Sequence, residues 1–161
     1  MILPTKDECV RILKESNVPD NIIAHCTAVG DFAILVADKL LSRGINVNRD
    51  LIHAAALLHD IRKLSTHDHV MEGSEYIKSL GFPEVANIIK KHGLAKLGND
   101  DFKPKTWEEK AVFYADKRVK HDKVVSVEER FRYIREKYKS SDIESEYLFT
   151  KKIEHELFQQ E

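Results

Sequence analysis

Apolar residues recur along most of the chain at spacings of three and four, the period of a helix with one buried face. Thr5 and Glu8 form a capping box ahead of Cys9, Ile12 and Leu13, which predicts a short helix to about Lys14. Asn17-Val18-Pro19 breaks it, because the residue before a proline is pushed out of helical geometry. From about Pro19 to Ser42 a second helix carries Ile22, His25, Val29, Phe32 and Val36 on one stripe, and Gly44 stops it. The run Leu51-Ile52-His53-Ala54-Ala55-Ala56-Leu57-Leu58-His59-Asp60-Ile61 has almost no polar side, so it predicts a central helix buried on nearly every face. Asn48 or Asp50 caps this helix, and His59 and Asp60 stand at its end.

After a turn at Ile61–Ser65, a helix from near Thr66 reads His69, Gly73, Tyr76, Ile77 and Leu80, and Gly81-Phe82-Pro83 ends it. Gly73 shares a face with His69 and leaves room for a neighbouring backbone. Pro83 opens a short helix with Val85, Ile88 and Ile89 that ends at Lys90-Lys91-His92-Gly93. Residues 94–105 lose the period and read as a mobile lid or an ordinary solvated loop. Thr106 to Glu109 is a second capping box, followed by Val112, Phe113, Asp116 and Val119 on one side. Ser126 to Glu129 and Ser141 to Glu144 repeat the box, opening helices built on Phe131, Ile134 and Tyr138, then on Leu148, Ile153 and Leu157. Nothing alternates with period two, so the expectation is one all-α domain over 1–161, of seven or eight helices, without internal repeats.

Composition narrows the function classes. Lys and Arg number 26 against 27 Asp and Glu, and no long block of one sign appears, which speaks against a nucleic-acid platform or a membrane-surface helix. No segment approaches the roughly 20 apolar residues of a membrane span, and the first residues lack the apolar stretch of a signal peptide. Cys9 and Cys26 have no CxxC spacing and read as reduced thiols, so a cytoplasmic location is expected.

The informative residues are polar ones on apolar stripes. His25, the pair His59-Asp60, and Asp116 lie on three separate helices and each faces inward. Burying an imidazole beside a carboxylate is costly unless something pairs with both, and a divalent cation does so. Consecutive helical residues project about 100° apart, so His59 and Asp60 share one ion only where the helix ends.

In the order His, His-Asp, Asp on a helical chain, these residues resemble the HD-domain superfamily of metal-dependent phosphohydrolases. The resemblance implies that His25, His59, Asp60 and Asp116 hold one divalent ion, from among Mn, Fe, Co, Ni, Zn and Mg. His59-Asp60-Ile61-Arg62-Lys63 is similar to the HDIGK variant, with Arg62 in place of glycine. His69 and His92 match further histidines of longer HD families, which implies a second ion with Asp60 bridging. The segments Tyr114–Val119 and Val125–Phe131 look like a small group of uncharacterised bacterial and archaeal HD proteins, and the similarity covers about 19–138.

By that resemblance the activity is hydrolysis of a nucleotide or other small phosphate ester by metal-activated water. Asp60 orients the water, Lys63 either neutralises charge developing on the phosphoryl group or merely flanks the helix end, and Lys63, Lys117 and Arg118 are the candidate contacts to substrate phosphate. Arg62 either reaches a phosphate or faces solvent. His53, His67, His121 and His155 fall outside the ligand set, with His53 a packed residue or pocket wall. No nucleic-acid or membrane partner is expected, and a homodimer stays open. Two other readings keep the same residues: a di-iron oxygenase, since a few similar HD proteins with six ligands are such enzymes, and a non-catalytic sensor of metal or nucleotide.

Overall fold

A computed structural model describes residues 1–139 and 142–159. Helix α1 spans Lys6–Glu15 and α2 spans Asp20–Ser42. Both partners of the Thr5–Glu8 capping box are made at the start of α1. Helix α3 runs Arg49–Leu58, with the Asn48 side chain accepting the Leu51 N–H as its cap. Helices α4 (His69–Ser79) and α5 (Pro83–Lys90) pair closely, and α6 (Trp107–Asp116) follows behind a complete Thr106–Glu109 capping box. Helix α7 (Val127–Lys137) and helix α8 (Glu144–Phe158) close the fold. Ser126 accepts the Glu129 N–H at the start of α7, which is the forward half of the predicted box. The predicted Ser141 cap of α8 lies outside the described residues.

Helix α3 is the centre. It is buried over Leu51, Ile52 and Ala54–Leu58 and packs against α1, α2, α5 and α6. Its closest neighbour is α2, and Gly30 sets their separation: a Cβ there would stand 2.9 Å from Leu57 Cδ2 and 3.3 Å from the His53 ring. His53 packs against Gly30 and also lines a small cleft with Leu3, Pro4 and Leu57, so both of its expected roles are seen. By length and composition α2 is apolar enough to cross a bilayer, contrary to the reading that no segment comes close. In the fold its stripe of Val29, Ala33, Val36, Ala37 and Leu40 is buried against α3, α6 and α8.

Several boundaries shift for local reasons. Helix α3 stops at Leu58, with His59 as its helical C-cap and Asp60 in the following turn. Helix α4 starts at His69 rather than near Thr66, because the Asp68 carboxylate caps the Met71 N–H. What approaches Gly73 is not backbone but the side chains of Ile61 and Arg62, at 3.3 and 3.9 Å from an added Cβ. Val119 leaves α6 for a two-residue hairpin, β1 (Val119–Lys120) against β2 (Lys123–Val124), too short to leave a period in the sequence. Its turn is made by His121 at φ 57°. Tyr138 and Leu148, expected to face the core, are half exposed or more. The 94–105 stretch is pinned rather than free: Leu97 and Pro104 are buried, Lys96 donates to Asp68 at 2.5 Å, and Lys90 and Lys96 sit over the Phe102 ring.

Candidate metal centre

The end of α3 is the one place on the central helix where two successive side chains can turn toward one point. His59 and Asp60 stand there, His25 reaches them from α2, and Asp116 from the last position of α6. His25 Nε2 lies 3.1 Å from Asp116 Oδ1 and 3.6 Å from Asp60 Oδ2. His59 Nε2 lies 3.3 Å from Asp60 Oδ2 and from Asp116 Oδ1. The ligand atoms of these four residues all fall within 4.8 Å of one another. Asp60, His69 and His92 form a second such group, in which Asp60 Oδ1 faces His92 Nε2 at 3.4 Å. The two oxygens of Asp60 therefore look into different groups.

The ring nitrogens decide what this arrangement fits. Nδ1 of His25 donates to the His121 carbonyl at 2.6 Å, Nδ1 of His59 to Ala56 at 2.7 Å, and Nδ1 of His92 to Ile89 at 2.7 Å. A carbonyl oxygen only accepts, so each Nδ1 carries a proton, and in the neutral ring each Nε2 is left as a lone pair. In that neutral form each lone pair faces a carboxylate oxygen, acceptor against acceptor, and only a proton or a cation between them makes the contacts favourable. His59 Nε2, fully buried, accordingly has no hydrogen-bond partner despite its short distances to two oxygens. Imidazoles tied at Nδ1 to carbonyls, with Nε2 turned to carboxylates, are the donor set that suits a divalent cation. The residues present fit the group.

Without a cation the charges settle among themselves. Burial disfavours ionisation of Asp60, but His59 and then His92 outweigh it and hold the carboxyl well below its usual range. Burial acts likewise on Asp116, where Lys117, His59 and His25 prevail in the same direction. For His59, burial lowers the pKa, yet Asp60 and Asp116 outweigh it and raise it well above the usual imidazole value. Burial keeps His92 and His69 below theirs.

The lysines and arginines divide. Lys63 is exposed and lines a cavity of about 800 Å³ beside Asp60, whose wall also includes Asn17, Arg62, Glu72 and Tyr76. Arg62 is neither free in solvent nor loose, since its guanidinium stacks 4.1 Å from the centroid of Tyr76. Lys117 and Arg118, expected on a substrate phosphate, are placed elsewhere. Lys117 is buried, donating to Asp116 Oδ2 at 2.6 Å and to the His92 carbonyl at 2.9 Å. It ties the end of α6 to the end of α5 and aims Asp116 Oδ1 at the histidines. Arg118 turns to the Val125 carbonyl, the Tyr114 hydroxyl and the Phe32 ring. Sequence reasoning missed the His121 carbonyl, since a backbone acceptor leaves no residue-type signal. It also missed Lys117 as a core residue, for which the apolar neighbours Phe113–Ala115 were the available signal.

Imidazoles and carboxylates from α2, the end of α3 and α6 thus converge, in a helical domain, on a cluster that could hold a metal ion. The HD domain family model matches residues 22–127, and the chain belongs to that family. It is 31% identical to a protein of Picrophilus torridus named tRNA (cytidine(56)-2'-O)-methyltransferase, over 96% of this chain and 47% of the relative. A protein of the same name in Thermoplasma volcanium is 29% identical over 80% of this chain and 40% of the relative. An uncharacterised protein of Methanocaldococcus jannaschii is 35% identical over 66% of this chain and 74% of that one. The chain thus spans less than half the length of the two methyltransferases. No solved structure matches it.

Proposed function

We propose that the protein is a metal-dependent phosphohydrolase that opens a phosphate ester with an activated water. The observation that carries the reading is that Nε2 of His25, His59 and His92 faces the carboxylates of Asp60 and Asp116, with Asp60 also lining the cavity. A divalent ion in that centre supplies Lewis acidity toward a phosphate oxygen and lowers the pKa of water. The chain's own groups do the rest. Asp60, with one oxygen toward each ligand group, accepts a hydrogen bond from the attacking water and fixes its direction. Lys63, exposed at the cavity wall, meets the phosphate charge, with Arg62 held ready by Tyr76 behind it. Lys117 keeps Asp116 in place from the buried side.

The cavity admits a nucleotide or another small phosphate ester. A second reading of the substrate is favoured by the names of two relatives, which are tRNA-modifying proteins: the phosphate is carried on an RNA. Both readings use one centre. The test is phosphate release from p-nitrophenyl phosphate, nucleoside monophosphates and 5'- or 3'-phosphorylated RNA by protein loaded in turn with manganese, iron, cobalt, nickel, zinc and magnesium. Release that stops in Asp60→Ala supports the proposal. Absence of release from every substrate with every metal sinks it, and oxygen consumption by the iron form would replace it with oxygenase chemistry.

A further inference from the structure

The near-zero net charge hides a segregation. Between 117 and 139 the chain has nine Lys and Arg against four Asp and Glu, while the remainder has 17 against 23. Folding gathers part of this excess around one ring. Lys120 Nζ lies 5.2 Å from the centroid of Tyr133, the Arg130 guanidinium 5.9 Å, and Lys137 Nζ 5.9 Å, while the His121 ring meets its edge at 5.3 Å. Among the described residues none of these three cations has a carboxylate within ion-pair distance. Arg130 Nε is buried without a hydrogen-bond acceptor. Three like charges on one tyrosine repel one another, and the ring's negative face offsets only part of that. An acceptor of negative charge is the missing partner.

The place of this cluster ties it to the metal centre. His121, which packs on Tyr133, is the residue whose carbonyl holds His25 Nδ1. A backbone lying across Lys120, Arg130 and Lys137 would therefore pass one side chain away from the ligands. Because cations occupy the Tyr133 face, the ring offers no platform for a stacked base, and the surface is built to meet phosphates rather than to read sequence.

We propose that the hairpin and the adjoining face of α7 form a phosphate-contacting RNA surface that leads a chain to the metal centre. The proposal rests on the RNA-borne form of the function above and reverses the expectation of no nucleic-acid partner. That expectation came from whole-chain charge, which averages over faces.

The experiment is fluorescence anisotropy of a labelled, unmodified tRNA transcript with metal-loaded protein, across a salt series around 100 mM. The double variant Lys120→Ala/Lys137→Ala is expected to bind about tenfold more weakly or worse, with a salt slope flatter by about two. Lys39→Ala/Lys78→Ala, on exposed lysines of α2 and α4, is expected to bind like the unaltered protein. Lys137→Ala alone, on an exposed residue, keeps the test independent of how Lys120 packs. No binding by the unaltered protein, or an equal loss in both double variants, overturns the surface. Binding is read without turnover, so a failed phosphatase assay beside intact binding would sink the hydrolase reading and leave the surface standing.

Discussion

Nδ1 of His25 donates to the carbonyl oxygen of His121 at 2.6 Å, joining α2 to a hairpin tip 96 residues further along the chain. The bond fixes the ring so that Nε2, not Nδ1, meets Asp116. It depends on His121 holding φ 57°, a left-handed conformation that histidine tolerates and a β-branched residue resists.

His121→Val should therefore weaken metal binding and lower stability by about 1–2 kcal/mol, the cost of that conformation. His121→Gly keeps the carbonyl and relieves the backbone, so its metal affinity should stay near that of the parent. Metal titration of both apoproteins, followed by tryptophan fluorescence or calorimetry, checks this. Equal affinity in the valine variant would show that the hairpin does not position His25.

The protonation pattern predicts proton release on metal binding. In the folded apoprotein Asp60 and Asp116 outweigh burial and raise the His59 pKa well above the usual value, which favours the protonated ring. His69 and His92 are held below it and are already neutral. A ligand must be the neutral imidazole, so binding at pH 7 displaces a proton from His59, and affinity rises as pH rises toward its folded value. The same raised pKa contributes apoprotein stability that is fully present below the unfolded imidazole value and lost as pH rises through the folded one. Calorimetric titrations in buffers of different ionisation enthalpy should give different observed heats. Identical heats would mean that His59 is neutral before metal arrives.

Glu109 makes a separate prediction about stability. Its buried carboxylate accepts from Lys91 at 2.9 Å and from the backbone N–H groups of Lys105 and Thr106, at 2.7 and 3.0 Å. Burial opposes its charge, but the Lys91 bond and the two backbone bonds prevail and lower its pKa. Its contribution is thus present above the unfolded glutamic acid value and lost as pH falls through the depressed folded one. Glu109→Gln should cost roughly 1–3 kcal/mol at pH 7, since it leaves the partly buried Lys91 without its counter-charge. The gap between parent and variant should close in acid. Thermal melts at pH 7 and near pH 3 decide it, and a gap that persists undiminished in acid would refute the assignment.

Much of this was legible in the residues. The caps at Thr5, Asn48 and Thr106 announced three helix starts because their hydrogen bonds are local, within three residues. His25, His59, Asp60 and Asp116 stood out as polar groups on apolar stripes, and the structure brings them together at the end of α3. What escaped is non-local. Arg118 looked like a phosphate contact beside Asp116, but a one-residue step at the helix end sends it to Tyr114 and Val125 instead. Lys117 looked like a second such contact, but it turns inward, where the α5 end supplies the His92 carbonyl as its acceptor. The hairpin was invisible because two residues per strand carry no period.

Whether the converging imidazoles and carboxylates hold a cation is decided by the metal content of protein purified without chelator, for the parent and for Asp60→Ala. Asp60 serves both ligand groups, so the account predicts one to two equivalents of a divalent transition metal per chain in the parent and a near-complete loss in the variant, with the helical content of the two alike. Equal metal in both, or a parent that neither contains metal nor gains thermal stability when manganese, iron, cobalt, nickel, zinc or magnesium is added, would contradict it.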